Sequence, residues 1–337
     1  MDRLPPFALH RPASVADATR LLAGNGARPL AGGTDLLPNL RRGLGQPTTL
    51  VELGGIAGLD AIVRGAEGIE IGAGVTLAAL AADAGFSGSA AALAEAARAV
   101  AAPAHRNAAT LGGNLCQDTR CVFYNQSEWW RAANDWCLKH GGTTCHVAPQ
   151  GSRCHAAFSG DLAPALIALD ADVTLASTRG TRRLPLADLY RNDGAAHLAL
   201  EPDELLVSVL LPHAPAGARS GYRKARVRGA LEYPLAGVAI ALVADGPRIG
   251  AIVVAITGLN PLPLRLQGTE AFVGRTVDEG LLAELGKLVA KQAQPMRTTA
   301  TPANHRRQVA AVLAGRLLRE LADPAPGAGE PRDAGCA

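Results

Sequence analysis

The sequence predicts an α+β protein. An N-terminal α/β domain in two parts is interrupted by a cysteine-rich segment and followed by a C-terminal three-stranded antiparallel sheet with helices. Three observations predict this class. Strand-like and helix-like patterns alternate through the first third of the chain. After a short proline-containing link at 212–217, three strand-like runs separated by turn residues precede two helical segments. Between these parts, the stretch from Cys121 to Cys154 holds four of the six cysteines and all three tryptophans, in a chain that is only 4% aromatic.

Ser14-Val-Ala-Asp17 is a capping box that opens a helix through DATRLLAGNG, which stops at Gly24-Asn25-Gly26. RPLAGG is a short strand ending in two glycines, and Thr34 or Asp35 caps a brief helix ending at Gly43. IEIGAGVT is a second strand, followed by a helix at LAALAADAG and a longer one over 90–102. A second Gly-Gly turn stands at Gly112-Gly113. EWWRAANDWCLKH reads as a helix with Trp129, Trp136 and Trp130 near one face. DLAPALIALDADVTLAS is a helix and then a strand, and EPDELLVSVLLP is another strand. GYRKARVR, LAGVAIALVA and RIGAIVVAITG form an antiparallel meander, followed by helices near 278–293 and 302–321. The Pro/Gly-rich tail, 322–337, which includes Cys336, reads as disordered.

Charged residues at 19% and apolar residues at 48% describe a folded globular chain. A net charge of +3 is small, and no basic stripe interleaves with aromatics, so neither nucleic acid nor a membrane surface is indicated as a partner. The start, MDRLPPFALHRPAS, lacks the features of a signal peptide. The longest apolar run, LAGVAIALVA, falls short of the roughly 18 residues of a spanning helix. A cytoplasmic location follows as an expectation. Thiols stay reduced there, so clustered cysteines point to metal or redox chemistry rather than disulfides. No catalytic triad or paired-carboxylate site is evident.

LAGGTDLL reads as a strand, a glycine corner and a helix start. Glycines let backbone N–H groups approach a ligand closely, and a helix N-terminus favours an anion. One terminus contributes about 0.3–1 kcal/mol at an exposed site. A diphosphate is therefore held better by two corners, and TLGGNL is the second. Taken singly, each Gly-Gly is equally a tight turn without a ligand. Neither corner is a G-x-G-x-x-G fingerprint or a Walker loop, so a nicotinamide site or a nucleotide hydrolase is not indicated.

LAGGTDLLPNLRRG, RNAATLGGNL, SGDLAPALIALDADV, DELLVSVLLP and the Tyr222-to-Arg226 stretch occur in that order. With them the chain resembles the FAD-binding medium (β) subunit of the molybdenum hydroxylases, the xanthine dehydrogenase and carbon monoxide dehydrogenase family, from about Leu4 to about Leu321. The resemblance implies a PCMH-like FAD-binding domain over 1–215, with subdomains over 1–60 and 61–215. It also implies a CO dehydrogenase flavoprotein C-terminal-like domain over 218–321. By the same resemblance, Leu30, Ala31, Gly32, Gly33, Thr34, Asp35, Leu36 and Leu37 grip the FAD diphosphate and ribityl chain. Thr110, Leu111, Gly112, Gly113 and Asn114 do so from the second corner. Asp161 is implied to hold the nucleotide end of the cofactor, and Leu206 and Lys224 to make contacts near the flavin and adenine. On the residues alone, Asp161 is equally a helix N-cap and Lys224 a solvated strand-face lysine.

Relatives join the Gly-Gly-Asn turn to the Ser-Gly-Asp stretch by a short link. Here Asn114 and Asp161 lie 47 positions apart, which marks an insert over 116–157. Its Cys121, Cys137, Cys145 and Cys154, at spacings of 16, 8 and 9, admit three readings. They are small buried hydrophobes; or they hold a structural zinc with His140, His146 and His155, although no C-x₂₋₄-C pair is present; or they hold an iron–sulfur cluster. In the last case Phe123, Tyr124, Trp129, Trp130 and Trp136 supply its apolar wall.

The pattern QDTRC…YNQ…WWR…CLK…CHV…C resembles the flavin subunits of 4-hydroxybenzoyl-CoA reductases. That resemblance implies a [4Fe–4S] cluster on Cys121, Cys137, Cys145 and Cys154, with Cys116 a spectator near the flavin or a substitute ligand. It implies an electron-transfer subunit of an oxidoreductase. The partners would be a large molybdenum-cofactor subunit and a small [2Fe–2S] subunit, in a dimer of heterotrimers, with ferredoxin or a similar carrier as electron donor. Substrate chemistry, the reductive dehydroxylation of 4-hydroxybenzoyl-CoA to benzoyl-CoA, would lie on a partner subunit. A related reading is a xanthine-dehydrogenase-type hydroxylase acting on an aromatic or heterocyclic substrate. A reading of another class is a scaffold with a zinc-stabilised loop.

Overall fold

The computed structural model describes residues 3–323. Its first layer is a small parallel sheet in which β3 (Thr49–Glu52) lies between β1 (Ala8–His10) and β2 (Ala27–Leu30). Between β1 and β2 runs α1 (Val15–Leu22). The Ser14 hydroxyl caps α1 by accepting the Asp17 N–H, and it donates to the Asp17 carboxylate. Ala18 and Leu22 pack with Val51, Ile56 and Leu59, and with Leu205 of the next sheet. That shared contact seats the small sheet on the larger one. The brief helix α2 (Leu36–Arg41) follows β2.

The second sheet is antiparallel, in the order β4 (Ile62–Gly65), β5 (Gly68–Gly72), β8 (Leu205–Pro212), β6 (Asp172–Ser177), β7 (Gly180–Pro185). Helices α3 (Leu77–Ala82), α4 (Ala91–Ala99), α5 (Pro103–Ala108) and α6 (Leu111–Leu115) fall between β5 and the insert. The insert carries only α7 (Glu128–Ala133). Beyond it, α8 (Leu162–Ala168) is buried along its whole length. It is apolar all round because it is sandwiched, packing on α4 and α6 and on the C-terminal sheet.

The third sheet has the order β12 (Leu264–Arg265), β11 (Arg248–Thr257), β10 (Ala236–Asp245), β9 (Ala218–Ala225). It is covered by α9 (Glu279–Gln292) and α10 (Ala303–Ala322). Arg306 of α10 is fully buried, and its guanidinium donates to the carbonyls of Leu235, Met296 and Gly258 and to the Thr298 hydroxyl.

Three sequence expectations change. The meander has a fourth, two-residue strand, β12, which the two prolines just before it disguise in the sequence PLPLRL. The helix expected over 90–102 ends at Ala99, because Val100 is extended and Ala102, before Pro103, is extended as well. EWWRAANDWCLKH is helical only through Ala133. Asp135 and Trp136 take left-handed φ values of 56° and 61°, so Trp136 leaves the helix altogether. The expected disordered tail lies, from Pro324 onward, outside the described residues, and Cys336 with it. Among the described residues, no helix is long and apolar enough to cross a membrane.

Candidate functional site

The first glycine corner abuts the Ala108–Ala109 segment that leads into the second. Gly32 is exposed on one side and pressed against backbone on the other: a Cβ there would lie 1.8 Å from the Ala108 carbonyl oxygen. Gly33 takes φ +69°, which glycine adopts without strain. Among the described residues, the N–H groups of Gly32, Gly33, Thr34 and Asp35 donate to no protein acceptor. In the second corner the Thr110 hydroxyl accepts the Gly113 N–H at 3.1 Å, and the Gly112 N–H donates to the Ala73 carbonyl at 2.8 Å. Leu111 is buried in the core beneath. Open donors therefore cluster on the first corner, while the second is braced against the sheet.

Asn114 and Asp161 continue this surface inward. Asn114 Oδ1 accepts the Leu162 N–H at 3.1 Å and so caps α8. Asp161 stands at the N-cap position but makes no side-chain cap. Its carboxylate instead pairs with Lys224 Nζ at 3.0 Å, both side chains 4% exposed, and accepts the Tyr222 hydroxyl at 2.7 Å. Burial pushes the Asp161 carboxyl up, against the pull of Lys224 and Tyr222. Lys224 also donates to the Ala99 carbonyl. The capping reading of Asp161 and the solvated reading of Lys224 are thus both replaced by one buried ion pair. Leu206 of β8 lies in the main apolar core. Leu30 ends β2; Ala31, Leu36 and Leu37 flank the first corner, with the Leu37 side chain packed under Gly33.

In the insert, Cys121, Cys137, Cys145 and Cys154 line one small cavity together with Phe123, Tyr124, Leu138, Lys139, His146, Val147 and Ala156. All four cysteines are buried and free. The Ala156 N–H donates to Cys154 Sγ at 3.4 Å. Burial pushes the Cys154 thiol up to about 12, against the pull of that N–H and of the Lys139 charge. Burial also raises Cys121, opposed by the N–H groups of Phe123 and Tyr124. Cys116 lies away from the cavity at the end of α6, and burial pushes its thiol up to about 12.

Among the described residues, no three His, Cys, Asp or Glu side chains are grouped closely enough to hold a metal ion, so neither the zinc nor the cluster reading has an assembled ligand set here. His140 and His155 do not line the cavity, and His146 Nε2 is engaged by the Trp136 carbonyl. The walls also differ from expectation. Trp129 is 77% exposed, Trp130 packs on Phe123 and Trp136 on His140, and no tryptophan lines the cavity.

The insert is tied to its surroundings at several points. Asp35, in the first corner, accepts the Asp118 N–H at 3.0 Å and pairs with Arg120. Arg120 donates to Asn39, and the buried Arg131 donates to the carbonyls of Arg42 and Gly43. The Val122 N–H reaches the Thr298 carbonyl at 2.9 Å. Sequence reading missed Lys139, Asp118 and Arg131, because nothing local separates a lysine or arginine bound for burial from a surface one.

His197, beside the insert, places Nε2 2.9 Å from the Gln117 carbonyl. Burial, aided by the Lys139 charge, pushes its imidazole down to about 4. The unfolded chain titrates near 6.5 and binds the extra proton first, so stability is full above that pH and falls as pH drops from 6.5 toward 4. Between pH 7.5 and 5 the His197 share of the loss is about 2 kcal/mol. Urea melts at the two pH values should show that much less acid loss in His197→Gln than in wild type. Equal loss in the two proteins would refute this account.

Residues 5–214 match the FAD binding domain in molybdopterin dehydrogenase. The chain belongs to that family. Residues 220–321 of this molybdopterin dehydrogenase-type flavoprotein match the CO dehydrogenase flavoprotein C-terminal domain, in accord with the expected fold class. The chain is 35% identical over 299 residues to an aldehyde oxidoreductase FAD-binding subunit of Escherichia coli (strain K12), covering 86% of this chain and 91% of that protein. It is 29% identical over 315 residues to the carbon monoxide dehydrogenase medium chain of Afipia carboxidovorans, covering 93% and 95%. A chain of the crystal structure of the Cu,Mo-CO dehydrogenase in its cyanide-inactivated form superposes with a TM-score of 0.79 at 26% identity, covering 95% of this chain and 99% of that one. The flavoprotein is thus a FAD-binding oxidoreductase subunit of the molybdenum hydroxylase family.

Proposed function

We propose that this chain is an electron-transfer subunit that carries FAD at the paired glycine corners and a [4Fe–4S] cluster on Cys121, Cys137, Cys145 and Cys154. The observation that carries the reading is the convergence of four buried, free thiols on one cavity in a FAD-binding domain. The first corner supplies unpaired N–H donors for a diphosphate, the second fixes the approach, and the Asp161–Lys224 pair lies at the inner end. When bound, FAD and the cluster supply the redox chemistry; the chain orients them, walls off water and sets their electrostatics.

Partners of the family type complete the proposal: a large molybdenum-cofactor subunit, where substrate reacts, and a small [2Fe–2S] subunit, assembled as a dimer of heterotrimers. A cytoplasmic location, which keeps the thiols reduced, agrees with it. The insert pattern supports a 4-hydroxybenzoyl-CoA reductase-type complex fed by ferredoxin. The 35% identity to an aldehyde oxidoreductase subunit supports an oxidative complex of the xanthine dehydrogenase type.

Anaerobic purification of the chain with its partners tests both levels. About four irons, four labile sulfides and one FAD per chain are expected; zinc without sulfide would remove the cluster. Turnover of 4-hydroxybenzoyl-CoA with reduced ferredoxin, set against oxidation of aldehydes and N-heterocycles, then selects the reaction.

A further inference from the structure

The four-thiol cavity contains a positive charge that the cysteine pattern does not account for. Lys139 lines it beside all four cysteines, and its side chain is 5% exposed. The ammonium is held from three sides. It lies 2.5 Å from Asp118 Oδ1, donates to the Thr119 hydroxyl and stands 4.2 Å from the centre of the Tyr124 ring. Asp118 is fixed in turn by its own N–H on the Asp35 carboxylate, and Asp35 pairs with Arg120. A bonded path, Lys139 to Asp118 to Asp35, therefore runs from the cavity to the first glycine corner, its two carboxylates joined through the Asp118 N–H. Arg131, the other buried cation of the insert, spends its guanidinium on the carbonyls of Gln126, Arg42 and Gly43 and does not line the cavity.

A lysine is taken out of water at a high cost, and a single partly exposed carboxylate offsets it poorly. The desolvated ammonium is matched better when the cavity holds an anion. Four thiolates around an iron–sulfur core carry net negative charge, and one charge more after one-electron reduction. In a low-dielectric site, a fixed cation favours the more negative state.

We propose that Lys139 is the electrostatic partner of the group held by Cys121, Cys137, Cys145 and Cys154, stabilising its negative charge and raising its reduction potential. This inference rests on the cluster reading above. Asp118 holds the ammonium in place and, being negative, opposes it in sign.

The test uses the anaerobically purified complex with Lys139→Met, Lys139→Arg and Asp118→Asn, each analysed for iron, sulfide and FAD and titrated by EPR. Lys139→Met should lower the one-electron equilibrium constant about tenfold, a midpoint about 59 mV more negative. Lys139→Arg should stay near wild type, and Asp118→Asn should move the midpoint upward. An unchanged midpoint in iron-replete Lys139→Met overturns the inference and leaves the cluster reading standing. If Lys139→Met loses iron, retention by Lys139→Arg supports charge compensation, whereas loss from both assigns the lysine to packing and overturns it. A wild type without iron and sulfide removes both readings.

Discussion

Cys137→Ser should reduce iron and labile sulfide from about four per chain to below one, while FAD stays at one per chain. Cys137 is one of four buried thiols around a common cavity, and it adjoins the left-handed turn at Asp135 and Trp136 that redirects the chain after α7. A serine hydroxyl is a hard, poorly ionised ligand and does not replace a soft thiolate on iron. Cys116→Ser is the control, because Cys116 lies away from the cavity; it should keep its iron, sulfide and FAD. Anaerobic metal analysis and flavin absorbance read both variants. Equal loss of iron and flavin in Cys137→Ser would make the insert part of the flavin fold. Full iron in Cys137→Ser would remove Cys137 from the ligand set.

Gly32→Ala should release FAD. The new methyl would sit 1.8 Å from the Ala108 carbonyl oxygen, far inside ordinary contact, and that oxygen belongs to backbone that cannot swing aside. The first corner and the Ala108–Ala109 segment leading to the second must part to admit it. Overpacking of this kind costs about 1–3 kcal/mol. If that strain falls on the paired-corner arrangement that receives the cofactor, affinity drops roughly tenfold or more. Gly315→Ala, on α10 with open space around it, is the matched control and should be neutral or slightly stabilising. FAD affinity by fluorescence titration decides the matter; wild-type affinity in Gly32→Ala would show that the corners do not act together.

What was legible in the sequence was local. Ser14 capping α1, the glycines ending β2 and opening α6, and the apolar runs of β10 and β11 each announce themselves within a few residues. The meeting of Gly32 with Ala108 was not legible, because the contact joins positions far apart in the chain. The same holds for Asp161. Its place before an apolar helix reads as a cap, yet Asn114 takes that task and frees the carboxylate for Lys224. The tryptophans misled for a different reason. A helical period through EWWRAANDWC groups Trp129 with Trp136, but two left-handed residues break the period, and Trp129 faces solvent. The cysteines were informative as a set, while the charge beside them, Lys139, has no local mark of burial.

The bond from Val122 to Thr298 fixes an order of events. One end lies at the first cysteine of the cavity and the other in the link before α10, so roughly 180 residues separate them, on the order of 10–35 s of ribosomal synthesis. The thiols therefore leave the ribosome well before the last strap across their loop can close. Loading metal into completed apoprotein should accordingly be slow, and it should speed up at mild urea concentrations that loosen the C-terminal domain.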